Sequence, residues 1–360
     1  MGDNGDTIPI PENLENQVIA NGELVLCPRY PVEAAEALPE PRPQLALAGE
    51  SGAVRVGVVG TGSLGRHHVR ILASLPGAVL VGIHDARPEV AAALAAEHRT
   101  VAFPDLDSLA AEVDALVLAV PTSEHARLGV PLLAAGRHVL VEKPIAGTLE
   151  EADALLAAAS GGGGVLAVGH VEFFNPAVQA LVELGTTPGF VEVERLAAFS
   201  PRSLDIDVIL DLMIHDLQIL HSLDESPLAE VRATGINVLS PRIDIANVRI
   251  ELASGCTANL TASRVSAERV RKLRAFLPRG YYSLDYQAQE IKGYRLEEIA
   301  GALQIVRADL PVEPGEPLRR ELEAFLRACR GEPTPLVGGA EGRQALATAL
   351  AVVAAMARTS

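Results

Sequence analysis

Lys143, within Glu142-Lys143-Pro144, and the pair Asp211 and His215, within Asp211-Leu212-Met213-Ile214-His215-Asp216, have the types and spacing that suit acid–base chemistry. Asp211 and His215 are four residues apart, so on a helix they share one face. A carboxylate beside an imidazole raises its basicity and fixes its orientation, which makes a general base that works near neutral pH. A lysine ammonium can hydrogen-bond a hydroxyl and stabilise the alkoxide that forms as the proton leaves. Together these groups describe removal of a proton from an alcohol. Each also has an ordinary reading: a lysine in a surface turn, and an Asp–His pair on a solvated helix face. Pro144 weakens the first, because a Lys-Pro bond can be cis and so aim the side chain. Metal binding through Asp211 and His215 needs a further ligand, and none is close in the sequence, so no metal is assigned.

The elements that must hold these groups begin at an apolar run, 54–59, that feeds into Gly60-Thr61-Gly62-Ser63-Leu64-Gly65. The run reads as a buried parallel strand, and the GxGxxG spacing suits a strand-to-helix turn that binds a dinucleotide. Gly60 permits the turn, Gly62 lets a pyrophosphate approach the backbone, and Gly65 lets helix and strand pack closely. Alone the motif is weak. A second apolar run, 79–83, leads to Asp85, twenty residues after Gly65, where an acid accepts hydrogen bonds from ribose hydroxyls. A carboxylate there repels a 2′-phosphate, so NAD is expected rather than NADP; Arg87 softens that preference. Open α/β sheets bind ligands at the carboxyl ends of their strands. Two such ends follow: Pro121, Thr122 and His125 after strand 115–119, and Glu142 and Lys143 after strand 138–142. With Gly60, Gly62, Ser63, Leu64, Gly65 and Asp85 they form the expected cofactor set. His125 is equally readable as the first residue of a helix.

The rest of the chain divides accordingly. Residues 1–53, rich in Pro, Glu and Asn, read as a poorly ordered or loosely docked extension, with a short strand or hairpin at 17–26. Regular βα alternation over 54–170 predicts a doubly wound parallel sheet. From 171 to 360 the pattern changes to a helix at 175–184, long alternating strands, a helix at 205–223 and two terminal helices at 316–330 and 340–357. This predicts a second α/β domain with an open, mostly antiparallel sheet. Such a sheet needs a cover on its free face, so a homodimer or homotetramer is expected. The 360 residues carry a formal charge of −16, which argues against nonspecific nucleic-acid binding. Arg264, Arg269, Arg271, Lys272 and Arg274 form a local basic cluster able to meet an anionic small molecule, or simply to solvate a strand. No apolar stretch reaches the ~18–20 residues of a membrane span. The start lacks a signal-peptide pattern, and Cys27, Cys256 and Cys329 form no motif, so a cytoplasmic protein is expected.

The stretches VGVVGTGSLGRHHVRIL, AVPTSEH, VEKPIA and DLMIHD, with Asp85, together resemble the glucose-fructose oxidoreductase/myo-inositol dehydrogenase/MocA (Gfo/Idh/MocA) family over about residues 54–357. The resemblance implies a Rossmann domain, NAD as cofactor, and Lys143, Asp211 and His215 as the catalytic set. His215 would take the hydroxyl proton while a hydride leaves the same carbon, Lys143 would hold the hydroxyl, and Asp211 would position substrate and His215. VGHVEFFNPAV and FSPRSLDIDVILDLMIHDLQIL also look like the subgroup of UDP-N-acetylglucosamine 3-dehydrogenases, which supply a 3-amino sugar for lipid A. That narrower likeness makes Glu172, Asn175 and Arg202 substrate-side candidates. Phe173 departs from it, standing where an arginine is expected. A free-polyol dehydrogenase and a non-catalytic dinucleotide-binding regulator are the competing functions; an intact Lys143, Asp211 and His215 argue against the regulator.

Overall fold

The computed structural model describes residues 52–199 and 206–357, with the backbone of Val18–Ala20 (β1) and Glu23–Val25 (β2). The last two pair as an antiparallel hairpin inside the stretch expected to form one. Arg202 lies outside the described residues.

From Val54 the chain runs β3 (Val54–Val59), α1 (Gly65–Leu72), β4 (Ala78–His84), α2 (Pro88–His98), β5 (Val101–Ala102), α3 (Leu106–Ala111), β6 (Ala115–Leu118), α4 (His125–Ala134), β7 (His138–Glu142), α5 (Leu149–Gly162), β8 (Leu166–Gly169) and α6 (Pro176–Val182). The six strands lie in the order β5-β4-β3-β6-β7-β8, and every pair is parallel. This is the doubly wound order, whose strand sequence reverses between β3 and β6 and opens a ligand crevice there. Central strands covered on both faces read as continuous apolar runs, and all four residues of β6 are buried. Side chains mark the helix starts: Asp105 accepts the Ser108 N–H at α3, and Thr148 accepts the Glu151 N–H at α5.

The second sheet is built from β9 (Phe190–Leu196), β10 (Leu228–Ile236), β11 (Ile245–Leu252), β12 (Thr257–Ser263), β13 (Val270–Leu277), β14 (Gly280–Asp285), β15 (Glu290–Ile299) and β16 (Ala302–Arg307). Its order is β10-β11-β12-β9-β13-β14-β15-β16; β12 and β9 run parallel and the other neighbours antiparallel. On β9, buried Val191, Val193 and Arg195 alternate with partly exposed neighbours, the signature of a sheet covered on one face. α7 (Ile214–Leu223) precedes β10, and α8 (Pro317–Cys329) and α9 (Gly339–Ala357) end the described chain. Among the described residues no helix is long and apolar enough to cross a membrane.

Two features depart from the sequence reading. Strands β15 and β16 were not expected; apart from buried Ile291 and Gly293 their residues are mostly exposed, so most of their length lacks the alternation that marks a half-buried strand. The compact unit around the parallel sheet also extends past residue 170, to Gln179, and takes in Glu313–Ala347; the other unit is Ala180–Val312 with the residues from Thr348. The cause is packing: Leu322, Phe325 and Leu326 of α8 are buried in one cluster with Val54, Val56 and Val69. An amphipathic pattern says that a helix is covered but not by which core.

Candidate active site

The glycine turn is shaped from both sides. Gly60 has φ +84°, and a Cβ there would come within 2.4 Å of the Ala119 carbonyl oxygen on the neighbouring loop. A Cβ on Gly65 would lie 1.8 Å from the Gly60 carbonyl oxygen, so α1 starts directly against the turn. Gly62 differs: a Cβ there would meet nothing within 4 Å, so its bareness serves something approaching from outside the fold. No side chain caps α1 at Leu64, and the amides of Ser63 and Leu64 sit where a helix N-terminus attracts an anion. These residues fit the pyrophosphate of a dinucleotide.

Asp85 follows the end of β4 and ties that strand to the turn. Its Oδ2 accepts the Thr61 N–H at 2.7 Å and the Thr61 hydroxyl at 2.8 Å, and its Oδ1 accepts the Arg87 N–H at 3.0 Å. Burial alone would raise its pKa; the hydrogen bonds from Thr61 and Arg87 outweigh burial and hold it below the usual carboxylate value. Asp85 is therefore a fixed anion beside the turn, with lone pairs left for ribose hydroxyls. The Arg87 side chain is largely exposed and meets Asp85 at 3.4 Å.

Two loops meet at the carboxyl edge of the same sheet. Pro121 and Thr122 open a 3-10 turn (Thr122–Glu124), with Pro121 exposed and Thr122 half-buried. His125 is drawn inside: it is 1% exposed, with Nδ1 3.0 Å from the Pro144 carbonyl oxygen and Nε2 3.1 Å from that of Val120. It braces one loop against the other. Lys143 is half-buried and its bond to Pro144 is cis. Glu142, before it, turns into the protein and shares a 2.7 Å hydrogen bond with His68 Nε2. Sequence reasoning missed His68, and it missed His170 after β8. His170 is fully buried; burial first, and the positive charge of Lys143 second, push its pKa down to about 3, so it stays a neutral imidazole. Among the substrate-side candidates, Glu172 is half-buried on the 3-10 turn Val171–Phe174. Asn175 is 2% exposed and accepts the Ala177 N–H at the start of α6, an N-cap arrangement. Phe173 is 8% exposed and packs edge-on to Phe174, ring centroids 5.2 Å apart.

In the other unit, Asp211 and His215 do not share one regular α-helix. Asp211 lies in a π-helical turn, Ile209–Met213, and His215 in the first turn of α7, where the Ile214 N–H reaches back to the Ile209 carbonyl. The widened turn is a recurrent feature of functional sites, and periodicity reasoning cannot locate it. Asp211 is half-buried and His215 8% exposed. The next residue, Asp216, anchors the helix: Arg195 of β9 donates to both its oxygens at 2.6 and 2.7 Å, and the Tyr286 hydroxyl adds a bond at 3.3 Å. The entry is fixed too, since Asp207 accepts the Ile243 N–H and Arg264 donates to the Ile206 carbonyl. Arg264 is 4% exposed and bonds Asp244 at 2.8 Å, so this member of the basic cluster is structural. Among the described residues no group of three or more His, Cys, Asp or Glu could hold a metal ion.

Residues 54–170 match the Gfo/Idh/MocA model, described as an oxidoreductase family with an NAD-binding Rossmann fold. UDP-N-acetylglucosamine 3-dehydrogenase of Acidithiobacillus ferrooxidans is 40% identical over 302 residues, covering 83% of this chain and 96% of that protein. Its solved structure superposes with a TM-score of 0.80 over 85% of this chain and 98% of the other. An inositol 2-dehydrogenase of Rhizobium meliloti is 31% identical over 59% of this chain and 69% of that protein. A levoglucosan dehydrogenase solved with NADH and L-sorbose shares the fold, with a TM-score of 0.76 at 20% identity over 86% of this chain and 98% of that one. With a dinucleotide turn, a fixed acid after β4 and the EKP lysine in place, this chain belongs to the Gfo/Idh/MocA family and is an NAD-dependent dehydrogenase.

Proposed function

We propose that this chain oxidises the 3-hydroxyl of UDP-N-acetylglucosamine with NAD, in the cytoplasm, as a step toward the 3-amino sugar of lipid A. The observation that carries the reading is the extent of the likeness: identity to the Acidithiobacillus enzyme spans 96% of that protein, against 69% for the Rhizobium inositol enzyme. His215 takes the hydroxyl proton as general base. Lys143 donates a hydrogen bond to the same oxygen and stabilises the alkoxide as it forms. Asp211 orients the substrate and the imidazole of His215. Bound NAD supplies the hydride acceptor, so the proton and hydride leave one C–OH group and a ketone remains. Asp85 favours NAD by repelling a 2′-phosphate. Glu172 remains a sugar contact and Arg202 a diphosphate contact. Asn175, with its carbonyl oxygen used at α6, would act through its other atoms.

The test is a panel of UDP-sugars and free polyols with NAD, read as absorbance of the reduced cofactor. UDP-N-acetylglucosamine should exceed myo-inositol in kcat/KM by at least about 100-fold, the order expected when a site built for a polar group meets a ligand lacking it. Turnover of inositol at a comparable rate would replace the nucleotide sugar with a polyol.

We also propose that the chain works as a homodimer or homotetramer. Phe190, Phe276, Tyr281 and Tyr294 are cross-strand neighbours on β9, β13, β14 and β15. Ring centroids are 5.4 Å apart for Phe190–Phe276 and 5.0 Å for Phe276–Tyr281, and Phe276 and Tyr294 are 37% and 50% exposed. An exposed aromatic band supports burial against a second copy. A light-scattering mass equal to one chain at working concentration would remove this part of the proposal.

A further inference from the structure

A buried polar cluster lies behind the EKP turn, inside the unit built on the parallel sheet. Glu142 Oε1 is 2.7 Å from His68 Nε2, and His68 is completely buried. A carboxylate only accepts, so Nε2 carries the proton and donates it; Nδ1 has no hydrogen-bond partner among the described residues. The other oxygen, Oε2, faces Gly169, where a Cβ would come within 2.9 Å of it. Gly169 is paired with Glu142 across β7 and β8, so its missing side chain makes the space for the carboxylate. On α8, Glu321 is 1% exposed and neither of its oxygens has a hydrogen-bond partner among the described residues. Burial first, and the charge of Glu142 second, raise the Glu321 pKa well above the ordinary carboxylate value. Of the titratable groups, His68 on α1 bonds Glu142, Lys143 follows it in the chain, and the charge of Glu142 reaches Glu321 on α8.

Orienting partners of this kind hold a reacting group to geometry that the reacting group alone does not keep. His68 sits one turn into α1, whose N-terminus is the glycine turn, while Glu142 immediately precedes Lys143. We propose that His68 is a positioning residue for Lys143, acting through Glu142. The proposal rests on the reading of Lys143 as a catalytic residue. Its consequence is that the helix carrying the cofactor turn and the loop carrying the lysine are set by one hydrogen bond.

His68→Leu should lower kcat about 10–100-fold, the usual cost of removing an orienting partner, with KM for both substrates held within about threefold. His68→Gln, whose amide can still donate to Glu142, should restore most of the loss. Gly169→Ala, which crowds the same carboxylate from the opposite side, should reproduce the His68→Leu defect. Glu321→Gln, which keeps the shape of the side chain and removes its titration, should keep kcat within about twofold at neutral pH. It should also be more stable than wild type by a margin that grows as pH rises. An acid whose folded pKa is raised contributes stability that is complete below its unfolded value of 4.5 and is lost as pH climbs toward the folded value. Gln does not titrate, so it escapes that loss. A His68→Gln variant as impaired as His68→Leu would overturn the proposal. If Lys143→Ala retains turnover, the catalytic reading itself fails; if it loses turnover while His68→Leu does not, only the positioning proposal fails.

Discussion

His215→Ala and Lys143→Ala each lower kcat by about 10²–10⁴-fold, the range attributable to a positioned acid–base group, and leave NAD affinity within about threefold of wild type. Asp85→Ala does the reverse: it weakens NAD binding and narrows the preference over NADP, while the chemistry at saturating cofactor persists. The contrast follows from where these side chains sit. Asp85 is hydrogen-bonded to the glycine turn by the Thr61 amide and hydroxyl, so its loss disturbs the cofactor site directly. His215 sits in the first turn of α7, which belongs to the other compact unit. The measurement is steady-state kinetics beside direct titration of NAD and NADP. Equal loss of NAD affinity in His215→Ala and Lys143→Ala would sink the catalytic assignment. An unchanged NAD-to-NADP ratio in Asp85→Ala would remove its ribose role.

Asp216→Ala destabilises the unit built on the open sheet by about 3–5 kcal/mol, the cost of leaving a buried guanidinium without its partner. Arg195 is 2% exposed and Asp216 1%, so water cannot replace either charge. The guanidinium also lies over the Tyr286 ring, 5.0 Å from its centroid, which fixes its plane. At about 2–4 °C per kcal/mol for a unit of this size, the melting transition falls by roughly 6–20 °C. Replacing both partners, as in Arg195→Met with Asp216→Leu, recovers most of that loss, because no buried charge is then left unpaired. The single variant also lowers kcat beyond its effect on stability, since the pair anchors the helix that carries His215. Differential scanning calorimetry decides: a loss under about 1 kcal/mol for Asp216→Ala means that the pair does not hold the helix.

The sequence made the parallel sheet readable because each buried strand is a continuous apolar run ended by a glycine, an acid or a proline. It made Lys143 readable because an EKP at a strand end is specific. Other features depend on three-dimensional neighbours and leave little trace in the pattern. The π-turn at Ile209–Met213 keeps the same apolar spacing as a helix, so Asp211 and His215 looked like one regular face. The sequence likewise does not show that His125, 1% exposed, braces two loops, or that Asn175, 2% exposed, caps α6. Glu142 was read as a cofactor group, but no pattern told that its carboxylate turns inward to His68, 74 residues earlier. Glu321 lay on an amphipathic helix whose covering core could not be named until α8 was seen among the residues of the parallel-sheet unit.

The most direct test of the central claim uses UDP-N-acetylglucosamine carrying deuterium at C3 of the sugar, with unlabelled NAD. Mass spectrometry of the reduced cofactor follows the label, and the initial rate is compared with that of the unlabelled sugar. Transfer of the deuterium to the nicotinamide, together with a 3-keto sugar nucleotide, is the predicted result. Turnover that yields reduced cofactor without deuterium would place the oxidised carbon elsewhere and contradict the assignment.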